Sequence, residues 1–90
     1  MRFHPPFDDV QWNEAAERYN DLRKYLSRLR DRYPPQSRTE RAMLRTCRRI
    51  NQDFARELLK PRGRISPDML NDLDQAFTFT VVEYMNAKRR

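Results

Sequence analysis

A single glycine, Gly63, in a chain of ninety residues is the feature that most restricts the fold. Glycine supplies the positive φ angles that tight hairpin turns and phosphate-binding loops require. Its near absence therefore argues against hairpins, barrels and glycine-rich phosphate sites. The hydrophobic content of 38% is enough for one modest core, so wholesale disorder is not expected. We expect an all-α protein.

The segments with helical spacing are separated by prolines. Apolar residues recur at intervals of three and four along each segment, which places them on one face of a helix. The predicted helices cover roughly residues 8–33, 37–60 and 66–88. Short connections between helices of this length favour antiparallel neighbours, so the predicted fold is an antiparallel three-helix bundle. The alternative is a helical hairpin completed by a second chain, because so small a core lies near the margin of stability.

Capping signals support these boundaries. Asp8 and Gln11 have the spacing of a capping box, in which each side chain accepts from the other's backbone amide. Ser37 and Glu40 have the same spacing at the second start. Ser66 precedes a proline at the first position of the third helix. Proline lacks a backbone N–H, and at this position that N–H would have no partner within the helix. Each predicted helix thus begins with a recognisable cap.

Ninety residues form one domain, since two separate cores would each be too small. We predict a single helical domain over residues 1–90, with residues 1–7 as a proline-containing N-terminal arm. Cys47 is the only cysteine, so the chain has no disulfide framework and no thiolate cluster for zinc. No stretch has the length of a membrane span or the apolar run of a secretion signal. We expect an intracellular, cytoplasmic protein without a membrane partner.

The positive charge is concentrated in the middle of the chain. Residues 36–64 hold nine basic and three acidic side chains, whereas residues 1–35 hold seven and six, and residues 65–90 hold three and four. The net charge of +6 therefore comes from the middle segment. Charge asymmetry of this kind predicts an anionic partner.

The second predicted helix carries this charge opposite its apolar stripe. Arg41, Arg45 and Arg48 form one row at spacings of four and three, and guanidinium groups bind phosphates through paired, charge-assisted hydrogen bonds. The predicted nucleic-acid-binding residues are Arg38, Arg41, Arg45, Arg48, Arg49, Arg56, Arg62 and Arg64. The competing interpretation is an ordinary solvated face in an arginine-rich chain. On the first helix, Glu14 and Arg18 are expected to pair within such a solvated face.

The third predicted helix is apolar on more than one side. Phe79 and Val82 are predicted to point outward, with Met85 on the flank near them. Such a patch predicts a docking site for another protein or a homodimer seam. The competing interpretation is that this helix lies centrally in the bundle or is covered by the N-terminal arm.

No constellation of residues predicts catalysis. His4 is the only histidine, Cys47 lies on an apolar stripe, and Asp8 and Asp9 are explained by a helix start. We expect no enzyme activity, cofactor, metal or small-molecule substrate. The predicted function is that of a small accessory or regulatory protein binding nucleic acid, DNA or RNA, or an acidic protein surface. The alternative is a protein–protein adaptor or inhibitor that docks or dimerises through the third helix.

Overall fold

A computed structural model describes residues 7–89 of the chain, and within that range it contains three α-helices and no strand. The helices are α1 (Asp9–Arg32), α2 (Arg38–Leu58) and α3 (Pro67–Lys88), with a 3-10 turn at Arg62–Arg64 between the last two. The predicted all-α three-helix fold is confirmed. No described helix is both long and apolar enough to cross a membrane. Most of the predicted arm, including His4, lies outside the described residues.

The predicted caps form, one of them only in part. The Gln11 amide donates to Asp8 Oδ1 at 2.8 Å and the Asp8 amide donates to Gln11 Oε1 at 3.0 Å, which completes the first capping box. At α2 the Glu40 amide donates to Ser37 Oγ at 3.1 Å. The Glu40 carboxylate, however, accepts from the Gln36 amide rather than from that of Ser37. The second capping box is therefore half formed, because the Glu40 carboxylate has other partners.

Contacts between helix ends establish the antiparallel order. The Trp12 indole Nε1 at the start of α1 donates to the Leu58 carbonyl at the end of α2, at 2.9 Å. At the opposite end, Lys88 Nζ of α3 lies 2.6 Å from Glu40 Oε1 of α2. The Tyr84 hydroxyl also donates to the carbonyl of Tyr33, just after α1. Both outer helices therefore run antiparallel to α2 and parallel to each other.

The three helices form an elongated body of 53 × 22 × 16 Å with α2 in the middle. α2 packs against both neighbours, whereas α1 and α3 approach each other much less. A polar link joins α1 and α3: Arg18 contacts Asp74 with two hydrogen bonds of 2.7 and 2.9 Å. Grooves are left along α2 and between the outer helices.

The core consists of two clusters of buried side chains. The larger contains Leu22, Leu26, Leu29, Leu44, Cys47, Ile50, Phe77, Val81 and Tyr84. The smaller contains Phe54, Leu58, Ile65 and Leu70, with Phe7 and Trp12 packed against it. Helical spacing predicts an inward stripe on α3 made of Met69, Leu73, Phe77, Thr80, Tyr84 and Ala87. The buried side is rotated from that stripe, since Val81 is buried and Met69 is 46% exposed. On α2, Leu44 is buried while Met43 is only partly so, because α2 faces two neighbouring helices.

A buried carboxylate ties the end of α2 to the start of α3. Glu57 is 5% exposed, and it accepts from Lys60 Nζ and from the Ser66 amide, each at 2.9 Å. The Lys60 hydrogen bond and then that of Ser66 lower the pKa of Glu57. Ser66 Oγ in turn accepts from the Met69 amide and caps α3. These hydrogen bonds hold the corner between the two helices.

Candidate anion-binding groove

The predicted arginine row lies along a groove between α1 and α2. Arg41, Arg45 and Arg48 are exposed and line a cavity of about 220 Å³ together with Arg30 of α1. Its remaining walls are Leu26, Leu44 and Pro35. The packing of α1 against α2 thus adds a fourth guanidinium to the predicted row.

The groove continues toward the C-terminal end of α2 as a second cavity of about 330 Å³. Arg30 and Arg48 border both cavities, and Arg23 of α1 joins them in the second. The other lining residues of the second cavity are Tyr19, Leu26, Ser27, Asn51 and Gln52. We call the surface formed by Arg23, Arg30, Arg41, Arg45 and Arg48 the basic groove.

The guanidinium groups of the basic groove form no ion pair with a carboxylate among the described residues. Among residues 7–89, no carboxylate lies within 4.0 Å of Arg23, Arg30, Arg41, Arg45 or Arg48. Five like charges along one groove repel one another and produce a positive potential. An anion bound there would relieve that repulsion.

The other predicted arginines lie outside the basic groove. Arg38 and Arg49 are exposed on α2, and Arg64 is exposed in the 3-10 turn. Arg56 pairs with Asp53 of its own helix at 3.4 Å. These side chains do not line either cavity.

Arg62 is held by contacts within the fold. Its guanidinium lies over the Trp12 ring, 4.6 Å from the ring centroid, and its Nε lies 3.4 Å from Asp9 Oδ1. A cation over an indole face is attracted by the negative ring face. Arg62 therefore secures the α2–α3 connection to the first turns of α1, and its charge is already partly compensated.

The ion pairing of α1 differs from the prediction. Arg18 pairs with Asp74 of α3 and not with Glu14, four residues before it. The hydrogen bonds to Asp74 raise the pKa of Arg18 above its ordinary value. The reason is geometric: Arg18 lies on the side of α1 that faces α3, where a carboxylate is available.

Sequence reasoning missed Asn51 on the floor of the basic groove. Asn51 is 4% exposed, and its Oδ1 has no hydrogen-bond partner among the described residues. It lies seven residues after Leu44 and seven before Leu58, both of them buried. That heptad spacing was the available signal. Arg23 and Arg30 were missed because the side of α1 that meets α2 depends on packing.

The predicted interface on α3 is partly exposed. Phe79 and Val82 are 66% and 51% exposed, whereas Met85 is half buried against the larger core cluster. Met85 turns inward because it follows the buried Val81 by one helical turn. Val82 also borders a cavity of about 350 Å³ between α1 and α3, with Tyr25 on the α1 side.

The remaining reactive side chain is inaccessible. Cys47 is fully buried, and burial raises the pKa of its thiol to about 11. A thiol of that kind behaves as an apolar core residue and does not form the thiolate needed for nucleophilic attack. Among residues 7–89, there is no group of three or more His, Cys, Asp or Glu side chains that could hold a metal ion.

Comparisons with protein families, with curated proteins and with solved structures found no match to this chain.

Proposed function

We propose that the protein is a small accessory or regulatory protein that binds nucleic acid through the basic groove, mainly at the phosphate backbone. The observation that carries the proposal is the convergence of five arginines from two helices, with no described carboxylate within 4.0 Å of them. A cytoplasmic location is part of the same proposal.

The spacing of the arginine positions along α2 suits a phosphate backbone. Arg41 and Arg48 are about 10 Å apart along the α2 axis, given a rise of about 1.5 Å per residue. Successive phosphates of one duplex strand advance by about 3.4 Å along the axis, so this stretch covers roughly three of them. Arginine also pairs with two phosphate oxygens at once, which lysine cannot do. Backbone contacts of this type position a protein without reading sequence.

Charge reversal at the centre of the row tests the proposal. Fluorescence anisotropy with labelled single-stranded and duplex oligonucleotides at low salt would compare the wild type with the double variant Arg41→Glu, Arg45→Glu. We expect the variant to lose binding, because two attractive contacts become repulsive.

The matched control is the double variant Lys24→Glu, Arg28→Glu. It makes the same change in net charge on α1, at positions that do not line the basic groove. Binding should be weakened much less than by the α2 variant. Absence of binding by the wild type at low salt, or equal loss in the two variants, would refute a specific role for the groove.

A second candidate function is that of a protein–protein adaptor or inhibitor docking through α3. It is favoured by the exposure of Phe79 and Val82 beside an apolar cavity that Tyr25 also borders. Adjoining apolar side chains left open to water are typical of interaction surfaces. The partner is a protein or a second copy of this chain, with the arginines facing an acidic target.

Phe79→Asp tests the second candidate, with the exposed Gln75→Asp as a control on the same helix. Sedimentation velocity would report self-association, and affinity purification with nuclease treatment would report a protein partner. Loss of either association in Phe79→Asp alone supports docking through α3. A monomer without a nuclease-resistant partner contradicts it.

A further inference from the structure

The side-chain oxygen of Asn51 is unusual because it is buried in the protein interior and has no hydrogen-bond partner among the described residues. Most buried polar atoms in folded proteins have a hydrogen-bond partner, because an unmade hydrogen bond leaves the desolvation penalty uncompensated. The equivalent positions one heptad before and one heptad after Asn51 are Leu44 and Leu58, and both are buried. An apolar residue in place of Asn51 would satisfy the packing without this cost.

Only a hydrogen-bond donor can satisfy Asn51 Oδ1. The phosphate groups of a nucleic-acid backbone are acceptors, so the ligand group that the arginines attract cannot donate the hydrogen bond that Asn51 Oδ1 lacks. The donors of a nucleotide are the amino or imino groups of its base and, in RNA, the ribose 2′-hydroxyl. In a duplex the Watson–Crick donors are already paired, and the amino hydrogens that remain in the grooves belong to stacked bases, which cannot enter the cavity.

The cavity at Asn51 has the size of a small-ligand site. Its volume of about 330 Å³ falls within the usual range of roughly 300–1,000 Å³ for such sites. Tyr19 places an aromatic ring at its wall, a type of surface on which unpaired bases stack. Exposed arginines border it, including Arg23 and Arg48. Because Asn51 Oδ1 is itself buried, a ligand reaches it only when side chains around the cavity move aside.

We infer that the basic groove accepts single-stranded nucleic acid, with one unpaired nucleotide in the cavity donating a hydrogen bond to Asn51 Oδ1. The arginines hold the flanking phosphates, and Asn51 distinguishes a strand with accessible donors from a closed duplex. This inference rests on the proposed function and adds to it the form of nucleic acid that is bound.

Asn51→Leu removes the acceptor and tests the inference. Anisotropy titrations would use oligonucleotides of one length: oligo-dA, oligo-rA, an abasic deoxyribose strand and a duplex. We expect about a fivefold loss of affinity for oligo-dA or oligo-rA, as for one hydrogen bond of ~1 kcal/mol. The abasic strand and the duplex should bind the variant and the wild type equally. Circular dichroism verifies that the variant is helical, and Asn51→Ala is the second variant if Leu disturbs the fold.

The pattern of losses separates the possible results. A loss for both oligo-dA and oligo-rA identifies a base as the donor, and a loss for oligo-rA alone identifies the 2′-hydroxyl. No loss, or an equal loss for all four ligands, overturns the inference. The proposed function then still stands if Arg41→Glu, Arg45→Glu abolishes binding. Absence of binding by the wild type to all four ligands refutes both.

Discussion

Neutralising two arginines of the basic groove should change how binding depends on salt. Each phosphate contact on a single strand contributes about −0.7 to the slope of log affinity against log salt. Five contacts, one for each arginine of the groove, give a slope of roughly −3.5, so a fourfold rise in salt weakens binding about 130-fold. The double variant Arg41→Gln, Arg45→Gln retains three contacts, a slope of roughly −2.1 and a loss of only about 18-fold.

The assay is an anisotropy titration of a labelled single strand at several salt concentrations between about 50 and 200 mM, the range in which such slopes are measured. The control variant Lys24→Gln, Arg28→Gln loses the same net charge and should keep the wild-type slope. If the two double variants have equal slopes, binding follows total charge and the geometric argument for the groove is wrong.

Four further outcomes follow from the core and the helix ends. Asn51→Leu should raise the free energy of unfolding by about 1–2 kcal/mol, because it removes an unsatisfied buried acceptor; a lower midpoint in thermal unfolding would reveal a partner within the chain. Trp12→Phe keeps an aromatic ring but loses the indole donor, so urea titration should show about 1 kcal/mol of destabilisation, and an unchanged midpoint would contradict the importance of that hydrogen bond. The thiol of Cys47 should react with a maleimide only as the protein unfolds, since the side chain is 0% exposed and its pKa is raised to about 11; rapid labelling of the native protein would contradict this. The Lys88 hydrogen bond lowers the pKa of Glu40 below its ordinary value of 4.5, so the stabilisation is present above that value and is lost as the pH falls through the lowered pKa. Lys88→Met should therefore lose less stability on acidification from neutral pH than the wild type does, as measured by urea titration.

Local signals in the sequence were sufficient to predict the helices. The cap at Asp8 and the prolines near residues 34, 61 and 67 act on their immediate neighbours, so their effect does not depend on the rest of the fold. The direction each helix faces depends on tertiary packing, and there the prediction was less accurate. Leu44 is buried more deeply than Met43 because α2 contacts two helices, which widens its buried side.

The candidate site was predictable only where it lies on one helix. Arg41, Arg45 and Arg48 share a face through helical spacing alone, and the structure places them along one groove. Arg30 joins them from another helix, and no local rule gives the rotation of α1 about its axis. Arg18 illustrates the same limit, since its partner Asp74 lies 56 positions away.

The central position of α2 has a consequence for how the protein opens. Because the backbone of α2 lies close to both neighbours while the backbones of α1 and α3 approach each other much less, separation of either outer helix leaves a packed pair behind. Backbone amides of α2 should then exchange with deuterated solvent most slowly. If α1 separates first, Arg41, Arg45 and Arg48 keep their mutual spacing on an intact α2. The side of the groove that α1 forms then moves away from them. Bulky ligands could thus be admitted by sub-global opening, without loss of the α2–α3 pair.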